Sequence, residues 1–290
     1  MIATSAATPL LARATAKDAE TRFAGSETLI LPLDGQWFFT LARAGSELLV
    51  KDSPAELDSG PWEKIRVPRT WQIAEESAGF QGTALYRTYF QAPAAWADKT
   101  VRIEFQAVTH TATVWVNEKL VGTHERKGYT AFIFEITDAL RFGPMNALTV
   151  QADNRYNTRM LPREQSFDWA PDGGIIRPVS LLVSPQTYIE RIEVDAAPLL
   201  NDPKSDLKAG VAQTELRFRA IVRNRGKTSR KARVQFTISD DELRYSAFPE
   251  KESPTTTVAP HSALTLGSPA STERMRLWHF DRPILYRVTA

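Results

Sequence analysis

Cysteine is absent from the 290 residues. Disulfides, thiolate nucleophiles and cysteine-based metal sites are therefore excluded. The compartment stays open: a periplasmic or secreted location fits as well as a cytoplasmic one. Long apolar runs are missing too. None reaches the ~20 residues that a membrane-spanning helix needs, so no membrane partner is expected. Nor is there an excess of one charge, since 36 Lys+Arg against 34 Asp+Glu give a formal net charge of +2. With the basic residues read as scattered, bulk electrostatics give no reason to expect nucleic acid. The four histidines, His110, His124, His261 and His279, show no HExxH-type spacing. A nucleophile elbow, a Walker loop and a dinucleotide glycine fingerprint are absent as well. No metal or other cofactor is expected.

What remains is strand signal. Val101–Phe105 and Tyr86–Phe90 alternate apolar with polar residues, as half-buried strands do. Thr113–Val116, Phe132–Ile136 and Leu148–Ala152 are rich in β-branched and aromatic residues. Between them lie turn residues: Gly82, Asn117, Gly122, Gly128, Gly143-Pro144 and Asp172-Gly173-Gly174. Many short strands with little helix between them predict an all-β sandwich or barrel. Ile136–Leu140 is expected to form one helical turn capped by Thr137 or Asp138.

The pattern shifts near Ser184-Pro185. Beyond it Leu216, Phe218, Ala220 and Val222 share one strand face, and Val234, Phe236 and Ile238 share another. Asn224-Arg225-Gly226-Lys227 reads as a hairpin turn between those two strands. About seven short strands in about 100 residues is the size of an immunoglobulin-like sandwich. The expected organisation is a disordered Ala/Thr/Ser-rich leader over 1–27, one domain over 28–186 and a second over 187–290.

The order of motifs in the first domain carries a family resemblance. Leu33-Asp34-Gly35-Gln36-Trp37, Val67-Pro68-Arg69-Thr70-Trp71-Gln72 and Leu85–Phe90 come first. Val114-Trp115-Val116-Asn117 through Gly122-Thr123-His124, then Gly128–Phe132 and Asn146–Val150, follow. Phe167-Asp168-Trp169 and Gly173-Gly174-Ile175-Ile176-Arg177-Pro178-Val179 close the series. Together they resemble the N-terminal sugar-binding domain of glycoside hydrolase family 2, the β-galactosidase, β-glucuronidase and β-mannosidase group. The stretch Leu277–Tyr286 resembles that family's last segment before its catalytic barrel. The resemblance implies a galactose-binding-like jelly-roll β-sandwich followed by an immunoglobulin-like β-sandwich. Some positions depart from the pattern: Glu118, Lys127, Leu85, Ile176 and Pro178. Pro178 cannot donate a ladder hydrogen bond, so an edge position or a bulge is expected there.

The resemblance also implies that the chemistry lies elsewhere. Retaining glycosidases use two carboxylates about 5–5.5 Å apart, and in this family both come from a barrel of roughly 250 residues. Two sandwiches use up the chain, so no catalytic residue is assigned. Glu118 reads as a solvated residue of a hairpin turn. Asp168 is the expected sugar contact, because a carboxylate accepts hydroxyl hydrogen bonds at charge-assisted strength. Trp169 is expected to shape the pocket with its flat face. The plainer alternative is that Asp168 caps its own loop. Arg155, Asn157 and Arg163 read as solvated or interface residues. Trp37, Trp71 and Trp115 read as core, and Trp278 as packing at the end of the second domain.

Two functions follow. In the first, the chain is the non-catalytic part of a family 2 glycosidase, partnered by a carbohydrate substrate and the barrel of the same polypeptide. In the second, it is a standalone carbohydrate-binding or interaction protein. An apolar surface is expected where the second domain would dock the barrel, which is compatible with a homo-oligomer.

Overall fold

A computed structural model describes residues 28–42, 62–160, 172–240 and 248–290. The leader expected over 1–27 lies outside them. The chain divides into two compact units, Met1–Pro185 and Gln186–Ala290. Regular structure among the described residues is almost wholly strand, with a few three-residue 3-10 turns.

The first unit is built from β1 (Leu29–Pro32), β2 (Gly35–Leu41), β3 (Glu63–Val67), β4 (Thr83–Gln91), β5 (Thr100–Phe105) and β6 (Val108–Thr109). It continues with β7 (Thr111–Val116), β8 (Lys119–His124), β9 (Phe132–Glu135), β10 (Met145–Asp153), β11 (Gly174–Ile175) and β12 (Val179–Ser184). Three sheets result, in the orders β1-β12-β5-β9, β3-β2-β4-β10-β7-β8 and β11-β6. All the pairings are antiparallel. The alternation in the sequence explains why the two large sheets face each other. Trp37, Phe39, Tyr86, Val114 and Val150 project from the six-stranded sheet into one core. They meet Ile103, Phe105, Leu181 and Val183 from the four-stranded sheet. Phe105 and Phe132 stack across the β5–β9 pair at 5.0 Å between ring centroids.

The other face of the six-stranded sheet holds a surprise. Lys64, Phe38, Arg87, Thr149, Trp115 and Leu120 form one row of directly paired residues across β3, β2, β4, β10, β7 and β8. Trp37 and Trp71 are core as expected, each 1% exposed. Trp115 is not: it is half-buried on the outward face. Both faces of this strand carry large side chains, so apolar character alone could not choose between them.

Two local expectations are corrected. The 3-10 turn Thr137–Ala139 has no side-chain cap. Thr137 Oγ1 instead accepts from Val101 N (2.9 Å) and donates to Val101 O (3.2 Å), tying the turn to β5. Pro178 sits neither at an edge nor at a bulge. It immediately precedes β12, an interior strand, so its missing N–H falls outside the ladder.

The second unit contains β13 (Thr187–Leu199), β14 (Val211–Asn224), β15 (Arg230–Ala232), β16 (Gln235–Asp240) and β17 (Lys251–Glu252). It ends with β18 (Thr256–Val258), β19 (Ser262–Gly267), β20 (Ser271–Arg276) and β21 (Tyr286–Thr289). β13 and β19 flank β14, which β20 also pairs, while β15 joins β18 and β16 lies between β17 and β21. The expected hairpin across Asn224–Lys227 is therefore absent. β14 and β16 face each other across the core, with Phe218 stacked on Phe236 at 5.5 Å. The cause is Asn224, fully buried, whose Nδ2 donates to the carbonyls of Thr228 (2.8 Å), Val258 (3.2 Å) and Ala259 (3.1 Å). That carries the chain out of the β14 sheet. Trp278 is also corrected: it is 62% exposed, beside Phe280 at 73% and Leu285 at 59%.

β16, β20 and β21 are joined by one buried ion pair. Asp240 is 2% exposed and accepts from Arg276 Nε (3.1 Å) and Nη2, while the Tyr286 hydroxyl accepts from Arg276 N at 2.8 Å. Removing one partner of a buried pair strands the other charge. Asp240→Ala is expected to cost about 3 kcal/mol, measured as faster hydrogen exchange of β16 and β21 amides and a lower urea midpoint.

Candidate functional site

Asp168 and Trp169 lie outside the described residues, as does Arg163. The structure does describe the two flanks of their segment, and both are firmly tied. On the leading side Asn154, fully buried, accepts from Gly82 N (2.8 Å) and donates to Phe80 O (3.1 Å) through its side chain. Arg155 folds back on Asp153, with Nε 3.0 Å from Oδ1. Asn157 Oδ1 accepts from Arg159 N at 2.9 Å. Both are exposed, in keeping with the expectation of solvated or interface residues, and each also makes a local hydrogen bond.

The returning flank is a zipper. Arg69 N donates to Ile175 O (2.8 Å) and Trp71 N to Gly173 O (3.1 Å). Gln72 Oε1 accepts from Gly173 N (2.8 Å), and its Nε2 donates to Phe80 O (3.2 Å). Gly173-Gly174 was read as a simple turn, but the glycines serve close packing. A Cβ at Gly173 would lie 2.1 Å from the Trp71 ring, and one at Gly174 only 2.5 Å from the Tyr86 hydroxyl. Gly174 also has φ +122, which L side chains rarely adopt. It opens β11, which pairs with Val108-Thr109.

Next to this flank lies a polar corner that sequence reasoning missed. Trp71 Nε1, Thr109 Oγ1, both ring nitrogens of His110 and the Tyr156 hydroxyl are buried with no hydrogen-bond partner among the described residues. The Tyr86 hydroxyl lies near the Ile175 backbone but also makes no hydrogen bond of good geometry. Such groups usually cost about 1–3 kcal/mol each when left unmet. Native interiors hold few of them, and clusters mark functional or strained places. His110 is 1% exposed, and its ring lies 5.6 Å from that of Tyr156. A Cβ on Gly128 would come within 2.9 Å of His110 Nδ1.

The electrostatics follow from burial. Desolvation holds the His110 imidazole below the usual histidine range, and the Asp153 carboxylate pulls partly the other way. Burial, with Tyr129 and Asp172 nearby, raises Tyr156. Asp172 accepts weakly from Thr70 Oγ1 at 3.5 Å. The corner therefore holds a neutral imidazole, phenol hydroxyls and an indole N–H in the interior, away from solvent. No cluster of three or more metal-ligating side chains occurs among the described residues.

Glu118 is where its spacing placed it, exposed in the β7–β8 turn with φ +66 beside Asn117 at +50. Asn117 pins that turn by donating to Ala139 O (2.9 Å) and Asn146 Oδ1 (2.7 Å).

Comparison with known proteins locates this unit among sugar-handling folds. Residues 30–185 match the sugar binding domain of glycosyl hydrolases family 2. A β-glucuronidase of Bacteroides fragilis is 33% identical over 138 residues, which are 46% of this chain and 19% of that protein. A β-galactosidase of Thermoanaerobacter pseudethanolicus is 35% identical over 108 residues, 37% of this chain and 14% of the other. The crystal structure of a Bacteroides uniformis β-glucuronidase superposes with a TM-score of 0.73 at 24% identity, covering 90% of this chain and 30% of that one. The chain thus spans a third or less of these relatives.

Two outcomes are expected from this corner. Gly173→Ala forces its methyl into the Trp71 ring and should destabilise the first unit by about 1–3 kcal/mol, measured by urea unfolding followed through tryptophan fluorescence. The second concerns acid. His110 is held neutral in the folded state, whereas the unfolded chain takes up the proton near pH ~6.5. Stability contributed by the neutral ring is thus full above that pH and is lost as pH falls toward the depressed folded value. His124 is lowered in the same direction by burial, so both contribute. His110→Phe should flatten the loss of stability between about pH 6.5 and 5, and an unchanged slope would contradict the assignment.

Proposed function

The chain belongs to glycosyl hydrolase family 2, and from that premise we propose that it works as the non-catalytic, carbohydrate-handling part of a glycosidase. The first unit presents the segment between Met160 and Asp172, with Asp168 as the sugar contact and Trp169 as a wall of the pocket. The second unit supports the catalytic part, against which Trp278, Phe280 and Leu285 pack. The observation that carries this reading is the double anchoring of the Asp168 segment. Asn154 ties one flank to Gly82 and Phe80, and Arg69, Trp71 and Gln72 tie the other. A substrate-contacting loop needs such fixed roots, because positioning precision depends on the shell behind the contact. The β-glucuronidases and β-galactosidases among the relatives narrow the expected chemistry to hydrolysis of β-glycosides.

The test begins with the native polypeptide, recovered from source cells with an antibody against this chain. Its mass should lie well above 32.5 kDa, and it should cleave an aryl β-glycoside. Asp168→Ala in that polypeptide should lower kcat/KM about 10–100-fold, the worth of a lost charge-assisted hydrogen bond. Unchanged kcat/KM would remove Asp168 from the site. A native band at 32.5 kDa that binds sugar without turnover would favour the standalone carbohydrate-binding protein instead.

A further inference from the structure

The near-zero net charge hides a local excess. From Leu216 to Ser239 the chain has eight Lys or Arg residues and no Asp or Glu. The basic residues are therefore clustered here, contrary to the reading that they are scattered. The fold sorts the cluster into two parts. Along the strands the charges are neutralised: Arg217 pairs with Glu215, Arg219 with Glu193 (3.2 Å), Arg223 with Glu190 (2.8 Å) and Arg233 with Glu252 (3.0 Å). At the tip between β14 and β15 three of them are not. Lys227, Arg230 and Lys231 are exposed and form no ion pair among the described residues.

The neighbouring backbone adds no negative charge. β15 pairs with β18, placing Arg230 opposite Val258 and Lys231 opposite Thr257. Residues 254–272, which supply β18, β19 and the turn between them, contain no acidic side chain and several hydroxyls. The tip is also stiff. Asn224 bridges Thr228, Val258 and Ala259, its Oδ1 accepts from Gly226 N (2.9 Å), and Arg225 N donates to Gln186 O (2.8 Å). A stiff tip presents its charges with little ordering cost on binding.

We propose that this tip is a docking ridge for an anionic polysaccharide, bearing carboxylates or sulfates along its chain. Arg230 and Lys231 are adjacent on a strand and project to opposite faces, with Lys227 in the turn beyond. Three charges around a ridge suit an extended, flexible polyanion better than a flat surface. Single-stranded nucleic acid fits less well, because its binding relies on stacked aromatic side chains. Residues 219–235 and 249–277 contain no Phe, Tyr or Trp. Thr228 and Ser229 supply hydroxyls between the cations, which match a sugar chain. The choice of polysaccharide rests on the carbohydrate reading above, while the charge pattern stands without it.

The test uses the whole chain, with fluorescently labelled oligogalacturonate and heparin as carboxylate and sulfate probes, and dextran as the neutral control. Binding to at least one anionic probe is expected, weakening steeply with salt as counterion release requires. The exposed triple variant Lys227→Glu, Arg230→Glu, Lys231→Glu should reduce that affinity at least about tenfold while thermal unfolding stays unchanged. The single variant Lys227→Gln should give a smaller loss and a shallower salt dependence. Binding of neither probe, equal binding of dextran, unchanged affinity in the triple variant, or tighter binding of oligo-dT would each overturn the proposal. The triple variant should leave aryl β-glycoside turnover by the native polypeptide unchanged, so failure here and failure of the glycosidase reading are distinguishable.

Discussion

The passage of Gly173 and Gly174 over Trp71 and Tyr86 is the contact on which the first unit's functional corner depends. The two aromatic side chains are buried among Phe39 and Phe80, with ring centroids 5.0 to 6.5 Å apart. Backbone can cross them only where no Cβ intrudes. Once it crosses, Gly173 and Ile175 receive hydrogen bonds from Trp71 and Arg69, and β11 forms against β6. That sets where the chain re-enters the sandwich after the Asp168 segment. It also places Thr109 and His110 beside the returning strand. Aromatic packing, glycine and the position of a candidate binding loop are thus one constraint seen at three levels.

The second unit solves a different problem. β13 is an edge strand, with β14 as its one neighbour. Unpaired edges invite aggregation unless charge or proline blunts them. Here Glu193 sits within the strand between Arg191 and Arg219, and Pro198 removes one edge donor. Exposed ion pairs of this kind add little stability individually. Their effect is to cancel the arginines of β14 along the sheet. Among the described residues, Lys227, Arg230 and Lys231 at the tip make no ion pair. The separation into a neutralised strand region and an uncompensated tip comes from strand register rather than composition.

Much of the architecture was legible in the residues. Period-two alternation marked β4, β5 and β14, and runs of β-branched and aromatic residues marked β7 and β10. β7 and β14 do hide one face, whereas β4, β5 and β10 are buried on both faces over most of their length. The order of motifs identified the family. Other features were not legible. Phe218 and Phe236 stand out as core positions, yet whether their strands lie side by side or face to face depends on where Asn224 sends its amide. Trp115 resembles Trp37 in sequence context but points outward, since pairing register decides which face is buried. His110 carried no signal, because its isolation from partners exists only once Gly128 and Tyr156 close around it. The basic tip was visible as a run of eight cations without an acid. A total charge of +2 averaged it away.

The sequence by itself therefore determined the secondary-structure class, the family and the identity of Asp168 as a candidate contact, because these follow from local periodicity and from motifs contiguous in the chain. Tertiary structure alone decided which strands became neighbours and which tryptophan faced outward. It also decided which buried polar groups stayed unmet and which cations stayed unpaired among the described residues. Each of those depends on distances between residues far apart in sequence, such as Asn224 and Val258 or Trp71 and Gly173, which only the folded chain brings within reach of one another.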